Sequence, residues 1–159
     1  MYPIRLLPAL ALMAGLLLSL APGAFAQELT LSHPEGRLSF TAAELLELSP
    51  AELITDTPWT DDVQHFEGVY LADLLQQAGI ESGYLAATAL NGYSVDLPVE
   101  DAIKAQAFIA VKANGEFMRV RDKGPFWIVF PWSQQSELET RRVRAWAIWQ
   151  LVELAQGDQ

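Results

Sequence analysis

Residues 66–79 read F-E-G-V-Y-L-A-D-L-L-Q-Q-A-G, and the fold prediction starts from this stretch. Gly68 can adopt the backbone angles of a tight turn, and Gly79 stands where a helix commonly ends. Apolar residues recur between them at helical spacing, at Leu71, Leu74, Leu75 and Ala78. The stretch therefore predicts a strand end, a glycine turn and a buried helix. A ligand cleft often lies beside such a turn, although a well-capped packed helix explains the same residues.

The first 26 residues have the pattern of a secretory signal peptide. Arg5 precedes an apolar run from Ala9 to Leu20, and Ala24-Phe25-Ala26 has the small-residue pattern of a cleavage site. Gly15 lies within the run and Pro8 and Pro22 flank it, whereas a membrane anchor needs about 20 continuous apolar residues. We expect cleavage after Ala26 and a periplasmic protein of residues 27–159 that does not insert into the membrane. An uncleaved anchor is the alternative.

The segment after residue 26 has the composition of one packed, acidic domain. It holds 133 of the 159 residues and all five tryptophans, which suits a single core. Without Arg5, nine of the ten Lys and Arg residues remain against 20 Asp and Glu residues. Nucleic acids and anionic membranes are therefore not expected partners. The chain has no cysteine, which excludes disulfides, thiolate metal ligands and thiol nucleophiles.

The first part of this domain predicts three strands and a helix. Strands are expected at 28–31, 38–40 and 53–57, with a turn at 33–36. Thr41 and Glu44 form a capping-box pattern, in which the hydroxyl and the carboxylate each accept a hydrogen bond from a free backbone N–H. A helix should therefore start after Thr41 and end at Ser49 and Pro50. Residues 58–62 should be irregular, with Trp59 either folded onto the core or offering a flat face to a planar ligand.

Two Asn-Gly pairs predict β-hairpins in the second part. Type I′ turns favour this dipeptide because both turn residues need positive φ. The pair Asn91-Gly92 joins the arms 86–90 and 93–97, and the pair Asn114-Gly115 joins the arms 108–112 and 116–120. Between the hairpins, residues 98–103 predict a helical turn.

The last two predicted elements are apolar. Residues 126–130 should form a strand buried on both faces, at the centre of the sheet, because prolines bound it at both ends. Residues 144–154 are long enough for either a helix or a strand, and the alternation of Trp146, Ile148 and Gln150 favours a strand.

In chain order, four motifs resemble the molybdopterin-binding domain of sulfite-oxidase-type oxidoreductases. They are G-V-x-L-x-D-L-L-x-x-A-G at 68–79, Asn91-Gly-Tyr with Leu97-Pro98, Gly124-Pro125-x-Trp-Ile-Val-x-Pro131, and Trp149-Gln150-Leu151. The resemblance covers most of residues 27–159. It implies a single α+β domain with a mixed sheet and a few short helices, which cradles a pterin whose dithiolene holds molybdenum.

The sequence departs from that family at the metal ligand. The resemblance places a molybdenum-ligating cysteine within about 53–59, which here reads L-I-T-D-T-P-W. Sulfur donors set the electronics of such a centre, so we expect a pterin bound non-covalently and without molybdenum. The protein is more similar to small, cysteine-free periplasmic relatives that bind a reduced pterin. That similarity implies a non-catalytic sensor whose partner is the periplasmic domain of an inner-membrane protein controlling cyclic di-GMP.

A pterin, whether a reduced tetrahydropterin or molybdopterin-like, needs a flat apolar surface, an acceptor for its amino edge and donors for its carbonyl. Candidates for stacking are Pro58, Trp59 and Tyr93; candidates for the amino edge are Asp56 and Asp61; candidates for the polar rim are Thr57, Asn91 and Ser94. Donors would come from Arg119, Arg121 and Lys123, which share one face if they lie on a strand. The alternative is a solvated sheet face that pairs with the abundant acids, as surface charges usually do. Arg141, Arg142 and Arg144 are candidates for partner contact.

Two other functions remain open at this point. One is an oxidoreductase domain or subunit that holds a molybdenum cofactor through the pterin alone. The other is a degenerate domain that supports assembly of a complex. Zinc chemistry is not indicated, because His33 and His65 lack the short spacing of metal ligands.

Overall fold

The structure is a computed structural model that describes residues 27–157. The predicted signal peptide lies outside these residues. Ten strands form two five-stranded sheets in the described part of the protein. The first sheet contains β1 (Glu28–His33), β2 (Gly36–Thr41), β5 (Tyr84–Ala89), β6 (Ser94–Pro98) and β10 (Leu151–Gln156) in the order β2-β1-β10-β5-β6. The second contains β3 (Ala51–Thr55), β4 (Gln64–Tyr70), β7 (Phe108–Ala113), β8 (Glu116–Phe117) and β9 (Trp127–Val129).

Short helices connect the strands. They are α1 (Ala42–Leu48), α2 (Leu71–Gln76), α3 (Val99–Lys104) and α4 (Arg141–Trp146), with 3-10 turns at Val120–Asp122 and Ser136–Leu138. In the first sheet β1 pairs with β10 in parallel, and the other pairings are antiparallel. The predicted α+β domain with a mixed sheet and short helices is confirmed. No helix among residues 27–157 is long and apolar enough to cross a membrane.

Gly68 lies inside β4 and does not form the predicted turn. The pairing of β4 with β7 shifts register between Glu67 and Gly68, and a Cβ at Gly68 would lie 2.0 Å from the Ile109 carbonyl oxygen. Glycine is needed here for the close approach of two backbones. The predicted glycine turn is therefore wrong, although a helix does follow the strand directly.

Helix α2 agrees with its sequence pattern. Leu71, Leu74 and Leu75 are fully buried, and Gly79 has a φ of +64°. The Ile80 N–H donates to the Leu75 carbonyl at 3.1 Å, which closes the helix end around the left-handed glycine.

Helix α1 begins with the predicted capping box. The Glu44 N–H donates to Thr41 Oγ1 at 3.2 Å, and the Thr41 N–H donates to the Glu44 carboxylate at 2.7 Å. Strand β3 runs from Ala51 to Thr55, two residues earlier than predicted. Beyond it the Asp56 N–H donates to Ser133 Oγ at 2.8 Å instead of continuing the sheet.

Both hairpins form, with different turns. Asn114 and Gly115 have φ values of +52° and +84°, as a type I′ turn requires. In the pair Asn91-Gly92, only Gly92 has a positive φ, +81°. There the Gly92 N–H donates to the Ala89 carbonyl, so that the loop is one residue longer than the predicted type I′ turn.

The second arm of the 114–115 hairpin is shorter than predicted. Strand β8 ends at Phe117, and a 3-10 turn at Val120–Asp122 follows. Lys123 has a left-handed φ of +72°. Arg119, Arg121 and Lys123 therefore do not share a strand face, and that prediction is wrong.

The last two elements need correction as well. Strand β9 is buried as predicted, but β7 holds the centre of the second sheet because it pairs with β4, β8 and β9. The predicted strand at 144–154 divides into the end of α4, an irregular turn and β10. The alternation of Trp146 and Ile148 does not reflect a strand. Both side chains are buried from a helix end and a turn.

Candidate functional site: a tryptophan-lined cleft

A cleft of about 310 Å³ opens beside the β5–β6 hairpin. Its walls come from three separate parts of the sequence: the β3–β4 loop, the β5–β6 hairpin, and the end of α4 together with the segment that joins it to β10. The lining residues are Trp59, Ala89, Asn91, Tyr93, Arg144, Ala145, Ala147, Ile148, Trp149 and Gln150. Its volume is at the lower end of the range for small-molecule sites.

Trp59 forms the floor that joins the cleft to the core. Its ring meets three other tryptophans edge to face, with centroid distances of 6.1 Å to Trp127, 5.9 Å to Trp132 and 5.5 Å to Trp149. Such pairs stabilise a cluster beyond the area they bury. The two predicted alternatives for Trp59 thus coexist, because the side chain packs on the core and also lines the cleft.

Tyr93 and Trp149 give the cleft its accessible aromatic surface. Their side chains are 56% and 40% exposed, although both line the cleft. Exposed aromatic surface of this kind can contact the face of a planar ring. Tyr93 was a predicted stacking residue, whereas Trp149 was predicted only as part of the motif Trp149-Gln150-Leu151, with no role in binding.

Two amide side chains at the cleft are each fixed by the backbone. Asn91 Oδ1 accepts a 3.0 Å hydrogen bond from the Tyr93 N–H. Gln150 Nε2 donates a 2.9 Å hydrogen bond to the Val120 carbonyl. Gln150 has a left-handed φ of +53°, a conformation unusual for a residue other than glycine.

Backbone hydrogen bonds join Gln150 to both neighbouring loops. Its N–H donates to the Lys123 carbonyl at 3.0 Å, and its carbonyl accepts from the Leu90 N–H at 2.9 Å. The β5–β6 loop and the 120–123 turn are thereby held around one residue. Sequence reasoning did not select Gln150 as a site residue, because its position depends on this three-way junction.

Arg144 brings a positive charge to the cleft. It lines the wall and forms an ion pair with Glu139. In the sequence it was a candidate for partner contact. Its neighbour Arg142 pairs with Asp101 at 2.6 Å and lies over the ring of Trp146.

Asp56, Thr57 and Pro58 do not line the cleft. Asp56 accepts a 2.6 Å hydrogen bond from Ser133 Oγ. The hydroxyl of Thr57 is 3.1 Å from that of Thr60 and accepts from the Trp59 N–H at 3.2 Å. In this structure these polar groups hold the loop that carries Trp59.

Ser94, Arg121 and Lys123, which were also predicted to contact the ligand, lie outside the cleft. Ser94 accepts a hydrogen bond from Thr88. Lys123 Nζ lies 5.5 Å from the centre of the Trp127 ring, and Arg121 is 3.7 Å from Asp122. The pKa of Asp122 is lowered, first by a hydrogen bond from Arg119.

The groups that line the cleft have the chemistry that a pterin needs. Aromatic faces, two amides and a guanidinium line the cleft, and these groups match a flat ring with polar edges. Among residues 27–157 no group of three or more His, Cys, Asp or Glu side chains gathers as metal ligands. The sequence has no cysteine at all. The protein therefore has no cysteine thiolate, which is the molybdenum ligand that the family resemblance implies.

Comparison with known proteins identifies the family. The model of the oxidoreductase molybdopterin binding domain matches residues 36–136, which is more than half of the sequence. The protein belongs to this family. A search of the curated proteins finds no match. In this molybdopterin-binding domain the match includes Trp59, Asn91 and Tyr93, whereas Arg144, Trp149 and Gln150 lie beyond the matched residues.

Proposed function

We propose that this domain binds a pterin non-covalently in the cleft and acts as a sensor of a reduced pterin rather than as a redox enzyme. One observation carries the proposal: Tyr93 and Trp149 present exposed aromatic surface beside fixed amides, in a protein without cysteine. Stacking would cover the pterin ring, and amide hydrogen bonds would meet its polar edge.

The residues of the cleft act by binding and orientation. The aromatic side chains would cover the ring and exclude water from it, and Arg144 would favour a carbonyl or an anionic substituent. In the family, a bound molybdopterin supplies redox chemistry through its metal. Residues 53–59, where the family resemblance places the metal-ligating cysteine, contain no sulfur.

The proposed partner is the periplasmic domain of a membrane protein that controls cyclic di-GMP. Support comes from the resemblance to small cysteine-free periplasmic relatives and from the signal-peptide pattern of residues 1–26. A ligand transmits a signal only if it favours one of two states of the protein or of its complex. A pterin held at an exposed cleft mouth would do so by completing a surface that the partner recognises.

Titration calorimetry with a tetrahydropterin under anaerobic conditions tests the binding. Protein produced from the full-length sequence should bind one equivalent, and Tyr93→Ala should weaken binding by about tenfold through loss of aromatic contact. Tyr84→Ala is the matched control, because Tyr84 is 59% exposed on the same hairpin and does not line the cleft. Absence of binding by folded protein, or equal weakening by both variants, would refute the proposal.

The family match favours one second function, an oxidoreductase domain or subunit that holds a molybdenum cofactor through the pterin alone. Metal analysis of protein purified from its native source separates the two. Stoichiometric molybdenum would exclude the metal-free sensor, and pterin without molybdenum would exclude the enzyme.

A further inference from the structure

The cleft carries two amide groups whose orientation is fixed by the backbone. The atom of Asn91 that meets the Tyr93 N–H must be its oxygen, because a backbone N–H can only donate. Likewise the atom of Gln150 that meets the Val120 carbonyl must be its nitrogen. The usual ambiguity between amide oxygen and nitrogen is thus removed by the partners.

In each side-chain amide, the other polar atom then makes no hydrogen bond to the described protein. Within residues 27–157, no side-chain or backbone group bonds to Asn91 Nδ2 or to Gln150 Oε1. Asn91 therefore offers a donor, and Gln150 offers an acceptor. The two residues line the same cleft and are linked through the hydrogen bond from the Leu90 N–H to the Gln150 carbonyl.

We propose that Asn91 and Gln150 determine specificity by reading a ring edge that carries a carbonyl next to an N–H. The free donor of Asn91 pairs with the carbonyl, and the free acceptor of Gln150 pairs with the N–H. The ligand class is a lactam heterocycle such as a 2-amino-4-oxo-pteridine. The inference rests on the proposed pterin function and adds which edge of the ring is recognised.

The backbone around Gln150 supports a role in positioning. Its φ of +53° and that of Lys123, +72°, are both left-handed, and the two residues are joined by a 3.0 Å hydrogen bond. Left-handed non-glycine residues persist where the surrounding structure fixes them, and they are frequent at ligand sites. Gln150 is held in place because its backbone N–H and its side-chain amide each donate a hydrogen bond and its backbone carbonyl accepts one.

A ligand in which the donor and the acceptor of this ring edge are exchanged tests whether Asn91 and Gln150 recognise the edge. A 2,4-diaminopteridine has the same flat shape and 2-amino group as a pterin, but it presents a ring nitrogen acceptor and an amino donor where a pterin presents an N–H donor and a carbonyl. Titrations would compare the two in the same ring oxidation state. The protein should bind the pterin at least about tenfold more tightly, because a mismatched edge leaves polar groups unpaired.

Substitutions then assign the selectivity to residues. Gln150→Met should weaken binding of the pterin by about tenfold and reduce the preference over the diamino compound. Gln106→Met is its matched control, since Gln106 also has a left-handed φ of +56° and lies outside the cleft. Asn91→Asp keeps the acceptor for the Tyr93 N–H but replaces the free donor with an oxygen, so it should lower the preference too. Asn114→Asp adds the same charge at the other hairpin, where Asn114 accepts from the His65 N–H.

The outcomes separate this inference from the function on which it rests. Equal affinity for the two pteridines, with binding that still depends on Tyr93, would overturn the edge assignment and leave the pterin sensor standing. No binding of either would overturn both. Guanosine carries the same lactam edge on a purine; a preference for it that is lost in Gln150→Met would overturn the pterin function and retain the edge assignment.

Discussion

The carbonyl oxygen of Ile109 lies directly against Gly68 in the neighbouring strand, where an added Cβ would be only 2.0 Å away. This contact sits at the register shift between β4 and β7. The two strands belong to the middle of the second sheet, and β9 with Trp127 pairs on the other side of β7. Trp127 in turn packs against Trp59 of the cleft, with ring centroids 6.1 Å apart, so the sheet that contains Gly68 also supports the cleft.

Gly68→Ala should lower the free energy of unfolding by at least about 2 kcal/mol, because a backbone oxygen cannot move away without breaking the β4–β7 pairing. Chemical denaturation monitored by circular dichroism measures the change. Gly36→Ala is the control. A Cβ added there would lie 3.9 Å from its nearest atom, in the His33 side chain, and Gly36 is also a strand residue. Similar losses in both variants would show that the contact does not matter.

Thr41→Ala should lower the free energy of unfolding by about 1 kcal/mol, as loss of an N-cap hydroxyl commonly does. The hydroxyl accepts the Glu44 N–H at the start of α1. Ser39→Ala removes a hydroxyl from the adjacent strand, where its only side-chain hydrogen bond among residues 27–157 is a 3.4 Å one to Thr30, and should change stability little. A Thr41 variant as stable as the Ser39 variant would contradict the role of the cap.

The same cap predicts a pH dependence. The pKa of Glu44 is lowered below its ordinary value of 4.5, first by the hydrogen bond from the Thr41 backbone and then by that from its hydroxyl. A lowered folded-state pKa means that the contribution is present above pH 4.5 and is lost as the pH falls through the folded-state pKa. The stability difference between the protein and Glu44→Gln should therefore shrink as unfolding is measured at successively lower pH below 4.5. A difference that stays constant with pH would argue against a charged cap.

Ser133→Ala should destabilise the loop that carries Trp59. Ser133 Oγ accepts from the Asp56 N–H and donates to the Asp56 carboxylate, at 2.8 Å and 2.6 Å. We expect a loss of about 1 kcal/mol and faster amide exchange at Asp56, because the variant removes two hydrogen bonds that water can only partly replace. Ser94→Ala, on an exposed hairpin position, should do neither. Unchanged exchange at Asp56 would refute the role of Ser133.

Trp59→Ala should cost about 2–4 kcal/mol of stability, since the ring contacts three other tryptophans. Trp149→Ala removes a more exposed ring and should cost less than about 1 kcal/mol. Thermal unfolding of both variants measures this order. The reverse order would show that Trp59 is not the centre of the cluster. The expected order also means that the Tyr93 and Trp149 variants probe binding more cleanly than a Trp59 variant.

Local rules were sufficient where an element depends on neighbouring residues. The capping box at Thr41 and Glu44 and the left-handed stop at Gly79 each act within a few residues, and both were predictable. Hairpin pairing was also predictable, because the Asn-Gly pairs bring adjacent arms together. The type of the 91–92 turn was not, since Gly92 alone takes positive φ in a longer loop.

Predictions that depended on distant partners were less successful. The alternation of residues 144–154 was indistinguishable from a strand, yet Trp146 and Ile148 are buried by packing against distant parts of the protein. Arg121 and Lys123 would share a face only if β8 continued, and the strand ends at Phe117. Gly68 was assigned to a turn because a sequence does not show which carbonyl will approach it.

By itself, the sequence determined the α+β class, the family, and the absence of a cysteine thiolate to ligate molybdenum, because composition and ordered motifs are properties of the sequence alone. It also selected Trp59, Asn91 and Tyr93 as candidates that now line one cleft. Only the tertiary structure decided that Arg144, Trp149 and Gln150 complete that cleft while Asp56, Thr57 and Ser94 serve the loops around it. The physical reason is that a cleft is formed by segments far apart in sequence, whose contact depends on how the two sheets pack.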